Sequence, residues 1–317
     1  MKKSSSLHHN ALSVAGIIIT MGIVFGDIGT SPLYVMKAIL SGARGTIETD
    51  FILGAISCII WTLTLQTTVK YVLITLRADN KGEGGIMALY ALVRKRRKWL
   101  FALAIVGGST LLADGIITPS ITIVSAVEGL QLQFPEIQVL PIALVIVASL
   151  FLVQQFGTSA IGKSFGPIMM VWFGMLAILG FVQLVQMPVV LKSFNPYYAA
   201  HLLYHYPHGF LLLGAVFLCT TGAEALYSDL GHCGINNIRV SWIFVKVSLI
   251  VNYLGQGAWI LMQHKPGVDL ANPFFAIMPA GFQLFGVLIA TAAAVIASQA
   301  LISGSYTIIS EAIQLNF

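Results

Sequence analysis

Long apolar stretches govern what this chain can become. Between Gly129 and Leu191 the only formal charges are Glu136 and Lys163, and between Ser193 and Ala223 there are none. A bilayer is crossed by about 20 consecutive apolar residues. Hydrocarbon offers no hydrogen-bond partner, so backbone in such a run must satisfy itself, and a helix does so. Eight spanning segments can be drawn, at 11–40, 50–76, 100–130, 138–156, 165–188, 208–230, 239–262 and 275–303. The expected fold is all-α, a polytopic membrane protein bathed in lipid. The third segment exceeds what a bilayer needs, which implies tilt or extension beyond the lipid.

Composition supports this and excludes other classes. Charged residues make up 9% of the chain against 57% hydrophobic, whereas soluble domains carry roughly 25% charged residues. The isoelectric point near 9.1 comes from a few basic clusters in loops, so it points to membrane topology and not to nucleic acid. Lys2 and Lys3 precede the first span, and Arg77, Lys81 and the basic run 94–98 follow the second. With eight spans these regions fall on one side together with Lys163 and Arg239. Arg44, Lys192 and Lys265 lie opposite, with Glu48, Asp50, Glu136 and Asp269. The asymmetry puts the amino terminus in the cytoplasm. The basic start lacks a small-residue cleavage site after a short apolar run, so the first segment reads as a retained helix. Cys58, Cys219 and Cys233 are too few and too scattered for a disulfide framework or a zinc site.

One string breaks the apolar pattern of the first span. Residues 26–34 read GDIGTSPLY, placing a carboxylate, two hydroxyls, two glycines and a proline at bilayer depth. A carboxylate there costs about 2.5–3.5 kcal/mol on insertion scales, so it needs a partner or a task. A broken span presenting an acid and free carbonyls is the arrangement transporters use to hold a cation. Asp27 reads either as a cation ligand or protonatable group, or as a cap on amides freed by the break. Tyr34 offers a phenolic oxygen one turn from Ser31, or serves as an interfacial anchor.

The break has an echo. Residues 219–227 read CTTGAEALY, matching Gly29, Leu33 and Tyr34 with Gly222, Leu226 and Tyr227 at a single offset. The copies lie within spans one and six, the first spans of two putative five-span repeats, and an odd number of spans inverts the second copy. Paired broken helices in inverted repeats put a substrate site near the midplane. The expected organisation is a cytoplasmic amino terminus at 1–10, a first repeat at 11–188, an extracellular loop at 189–207, a partial second repeat at 208–303 and a cytoplasmic segment at 304–317. Such a core needs ten spans, so the chain is expected to be truncated.

Other polar groups divide by setting. Thr118, Thr122 and Ser125 lie on one face of the third span with Asp114 a turn below. Neutral oxygens in such a stripe suit a monovalent cation; the alternative is that they bond to carbonyls four residues back and pack. Asp114 is expected on the inward half, in gating or capping. Glu224, among apolar and small residues, is a carboxyl suited to loading and releasing a proton. Lys37 is expected to snorkel to the interface. His201, His205 and His208 lie in a tyrosine-rich outer loop and read as part of an aromatic belt. The glycine-rich run 81–85 lacks phosphate-loop spacing. No catalytic set can be drawn from spacing, so neither an enzyme nor a bound cofactor is expected.

Several strings resemble one family: GDIGTSPLY (26–34), KGEGGIMALYAL (81–92), ADGIITPSITIVSAVEGL (113–130), GKSFGPIMMVWF (162–173), FNPYYA (194–199) and TGAEALYSDLGHCG (221–234). Together they resemble the bacterial Kup potassium uptake permeases, of the KUP/HAK/KT family within the amino acid–polyamine–organocation superfamily. The resemblance implies potassium uptake with a proton across the bacterial plasma membrane, an inverted-repeat core, broken helices one and six, and a homodimer. It carries cation binding to Asp27, Tyr34, Thr118, Thr122 and Thr221, and the important acids to Asp27, Glu128 and Glu224. A passive cation channel, a permease for small organic solutes, and a non-transporting or regulatory fragment remain as alternatives.

Overall fold

The computed structural model describes residues 12–43, 48–80, 82–93, 99–154, 162–263 and 272–314. The basic residues that set the expected orientation at Lys2, Lys3, Arg44, Lys81, 94–98 and Lys265, with Asp269, lie outside the described residues, as does the 1–10 terminus.

The first segment is a bent span. Helix α1 (Val14–Ile23) starts at Ser13, whose hydroxyl accepts from the Gly16 amide at 3.0 Å, satisfying one of the free donors of a first turn. The chain departs from the helix at Phe25 and resumes as α2 (Gly26–Thr30), a 3₁₀ turn over Ser31–Leu33, and α3 (Val35–Gly42). The axes before and after the break differ by 69°. Pro32 in the 3₁₀ turn has no amide to donate, so the regular ladder cannot run through it.

The second span combines α4 (Thr49–Thr62) with a π-helical stretch over Leu63–Ile74. There Thr68 and Thr75 donate to carbonyls five residues back. A short α5 (Gly85–Val93) leads to α6 (Leu100–Glu128), which carries Pro119 in its interior. Helices α7 (Val139–Gln154) and α8 (Gly162–Gln186) complete the first five segments. Helix α9 (Pro196–His205) begins with Asn195 as cap and proline in its first position. On α9 the His201 and His205 rings stack, with Tyr197 beside His201.

The sixth segment breaks as the first does. Helix α10 (Gly209–Phe217) passes through a 3₁₀ turn and a non-helical stretch to the short helices α11 (Ala225–Ser228) and α12 (Leu230–Cys233). Helix α13 (Ile235–Gln263) then crosses the middle of the molecule. A short α14 (Pro273–Ala276) precedes α15 (Gln283–Gln314), which runs unbroken through 304–314. Among the described residues six helices are long and apolar enough to cross a membrane, and the bent pair makes seven. The shorter apolar α7 occupies the remaining segment expected from the sequence. The architecture is that of an all-α polytopic membrane protein, and among the described residues the β-type pairing is limited to an isolated bridge between Asn80 and Glu83.

The core sits around α13, which packs chiefly on α8, while α6 packs on α15. Trp172, Phe173, Trp242, Tyr253 and Phe25 are fully buried there. Lipid tails are as apolar as leucine, so close van der Waals approach must hold these helices together. Gly180 and Gly255 supply it: a Cβ on Gly255 would stand 2.4 Å from the Gly180 Cα. Gly255→Ala forces the helices apart, and overpacking costs about 1–3 kcal/mol. The expected outcome is a lower melting temperature for the purified protein in detergent. An unchanged one would refute the tight crossing.

Candidate functional site

Both breaks and the middle of α6 bring a carboxylate to one place. Asp27 lies in the first turn of α2, Asp114 midway along α6, and Glu224 in the non-helical stretch before α11. Each offers an oxygen within 4.8 Å of the others. At that spacing two anions repel by about 3–4 kcal/mol at an effective dielectric constant of about 20. Three cannot all stay charged without a cation among them or protons on them.

Backbone geometry explains how two broken spans come so close. Gly222 has φ +84°, and a Cβ on it would stand 2.7 Å from the Asp27 Cβ and 2.8 Å from Oδ2. Only glycine combines that backbone conformation with that proximity. The matched glycine in the echo therefore has a physical role in span six: it lets one break lie directly on the other.

The oxygens around the carboxylates are largely bare. Asp27 is 3% exposed, and neither carboxylate oxygen has a hydrogen-bond partner. The reading of Asp27 as a cap on freed amides is thereby corrected, because a cap must accept from an amide. Leaving a buried acceptor unsatisfied costs about 1–3 kcal/mol, and more for a charged group. Asp114 Oδ1 accepts from the Thr118 hydroxyl at 2.6 Å, while its Oδ2 is bare. Ser31 Oγ and Thr122 Oγ1 are also buried without partners, and Tyr34 adjoins both. Thr118 therefore bonds to Asp114, not to a carbonyl four residues back. Thr221 belongs to the same non-helical stretch as Gly222, half-buried.

Asp114 lies midway along the 29-residue α6 and joins Asp27 and Glu224. One expectation changes. Lys37, expected to snorkel, instead donates to Glu128 Oε2 at 2.6 Å, the two side chains being 43% and 24% exposed. Glu128 lies outside the carboxylate cluster, about 21 Å further along α6 at 1.5 Å per residue.

Sequence reasoning passed over the groups that serve the first break. Trp172 Nε1 donates to the Gly29 carbonyl at 2.9 Å, Gln256 Nε2 to Pro32 at 3.0 Å, and Asn272 Nδ2 to Leu33 at 3.2 Å. Two amides four residues apart in an apolar span, Asn252 and Gln256, were the available clue.

The family described as the K+ potassium transporter integral membrane domain matches residues 14–317. A protein of Flavobacterium johnsoniae named "Probable potassium transport system protein Kup" is 58% identical over 100% of this chain and 49% of its own length. Proteins of the same name from Cytophaga hutchinsonii and Clostridium perfringens are 61% and 56% identical, over 97% and 96% of this chain and 47% and 48% of theirs. The chain spans about half the length of the curated relatives it matches. No solved structure matches.

The bare Asp27 carboxylate generates a direct test. Asp27→Asn keeps the shape and removes the charge, so potassium affinity measured by calorimetry on the purified chain should fall at least about tenfold, or about 1.4 kcal/mol. Lys37→Met serves as control. It should stay within about twofold of the parent, because the pair lies about 21 Å from Asp114 and exposed charges are screened over about 8–10 Å. Unchanged affinity in folded Asp27→Asn would remove Asp27 from the site.

Proposed function

This chain belongs to the K+ potassium transporter integral membrane domain family, and from that premise we propose that it forms the cation site of a secondary active potassium importer. Potassium moves inward together with a proton, across the bacterial plasma membrane, with the amino terminus in the cytoplasm. The observation that carries this reading is the meeting of Asp27, Asp114 and Glu224 at two broken spans, with both Asp27 oxygens bare.

The division of labour follows from the chemistry of each group. Asp27 supplies anionic charge, and Tyr34, Thr118, Thr122 and Thr221 supply neutral oxygens that replace water around the ion. Glu224 and Asp114 carry protons: closing the contact between the two breaks requires the charge of the three carboxylates to be offset, which potassium beside Asp27 and protons on Glu224 and Asp114 do together. Binding of one ion thus alters the affinity for the other, as coupling requires. Alternating access comes from movement of one repeat against the other about the broken helices. Glu128, held by Lys37, acts at the outer end as a gate. Assembly is as a homodimer.

A second reading has one observation in its favour. The chain spans about half the length of its relatives, so it also fits a fragment that binds potassium without moving it. Reconstitution of the chain in proteoliposomes separates the readings. With the membrane potential clamped, coupled import acidifies the lumen as potassium enters. Potassium influx without proton movement would make it a passive channel; binding without flux would make it the non-transporting fragment.

Glu224 then separates binding from coupling. Glu224→Gln imitates the protonated carboxyl permanently, so potassium still binds while the dependence of uptake on external pH disappears. Full uptake with the parent's pH dependence would take Glu224 out of the mechanism.

A further inference from the structure

Helix α13 carries polar groups that the carboxylate cluster does not use. Asn252, Tyr253 and Gln256 are fully buried in the middle of the molecule, and positions three and four apart share a helix face.

The orientation of both amides is fixed by what surrounds them. Asn252 Nδ2 donates to the Leu176 carbonyl at 3.0 Å. A carbonyl can only accept, so Asn252 turns its NH₂ towards α8 and its oxygen towards Gln256. That oxygen accepts from Gln256 Nε2 at 2.8 Å, and the same nitrogen donates to the Pro32 carbonyl at 3.0 Å. Both hydrogens of the Gln256 amide are committed, and a flip would set oxygen against two acceptors. Its Oε1 therefore stays where it is, buried and without a partner.

A second bare oxygen lies one turn away. The Tyr253 hydroxyl is buried with no hydrogen-bond partner, and Tyr253 is within electrostatic reach of Tyr34. Ser31 Oγ, next to the Pro32 carbonyl that Gln256 holds, is bare as well. Every unpartnered buried side-chain atom among the described residues is an oxygen. The hydroxyls among them donate as well as accept, whereas the Gln256 amide oxygen can only accept, and an unexplained buried acceptor calls for an ion or an ordered water.

We propose that Gln256 Oε1 and the Tyr253 hydroxyl, at the Ser31–Leu33 turn, form a second subsite for a monovalent alkali cation, made of neutral oxygens. This rests on the reading of the Asp27 cluster as a cation site. The absence of formal charge among the ligands of the second subsite selects against divalent ions, which want carboxylates. It also makes this subsite the weaker of the two, suited to an ion on its way to the carboxylates.

Rubidium serves as the probe. Equilibrium binding of radioactive rubidium to the purified chain should saturate at two ions per chain. Gln256→Leu should abolish the weaker site. Because that variant also frees the Pro32 carbonyl and disturbs the break, Tyr253→Phe is the decisive one: it removes a single oxygen and leaves the amide chain intact. It should weaken the second site at least about tenfold and leave the tighter one unchanged. Asp27→Asn should do the reverse. Saturation at one ion, lost in Asp27→Asn and untouched in Tyr253→Phe, would overturn the subsite and assign its oxygens to water, with the Asp27 reading intact. No rubidium bound by the parent chain would overturn both.

Discussion

The structure depends on how carbonyls are satisfied where hydrocarbon supplies no donor. A helix in lipid can break only if the oxygens it frees find partners within the protein. The first break has three such partners from three separate elements: Trp172 from α8, Gln256 from α13 and Asn272 from the turn before α14. These bonds hold the second half of the broken span by its backbone, so its side chains remain uncommitted. Asp27 and Ser31 can be bare because the neighbouring carbonyls are not.

This also shows why the break was legible in the sequence and its support was not. Glycine, aspartate, serine and proline in an otherwise apolar run have few explanations, and the string at 26–34 announces an interruption wherever the rest of the chain lies. Asn252 and Gln256 announce much less. An amide in a spanning helix may bond to its own helix, to a neighbour or to water, and only the fold puts Gln256 opposite Pro32, 224 residues away in sequence. The same holds for Lys37 and Glu128. Each reads alone as a charge near the end of a span, and their pairing depends on α3 and α6 being neighbours, 91 residues apart.

Depth was legible only in part. The echo between 26–34 and 219–227 placed an acid in each copy, Asp27 in the first and Glu224 in the second, four positions apart when the copies are matched, and the two breaks do meet, through Gly222. Asp114 has no echo. Its place beside the other two acids depends on how α6 packs against the two breaks. The clue lay in its immediate neighbour up the helix: Thr118, one turn on, donates to Asp114 and so faces the same interior. A hydroxyl four residues from an acid within an apolar span is better evidence of a shared inward face than distance from either end.

The two breaks meet through a contact that has no slack. Gly222 lies against the Asp27 side chain closely enough to exclude a methyl group, and the carboxylates behind that contact repel one another unless a positive charge lies between them. Packing therefore pushes the halves together while electrostatics pushes them apart, and the balance turns on what occupies the space. With a cation or protons present, the contact between α2 and the non-helical stretch before α11 is favoured. With the carboxylates bare and charged, it is opposed. A contact whose sign depends on a bound ion is what the proposed movement of one repeat against the other requires, and the bonds from Trp172, Gln256 and Asn272 tie the first break to α8, α13 and the turn before α14.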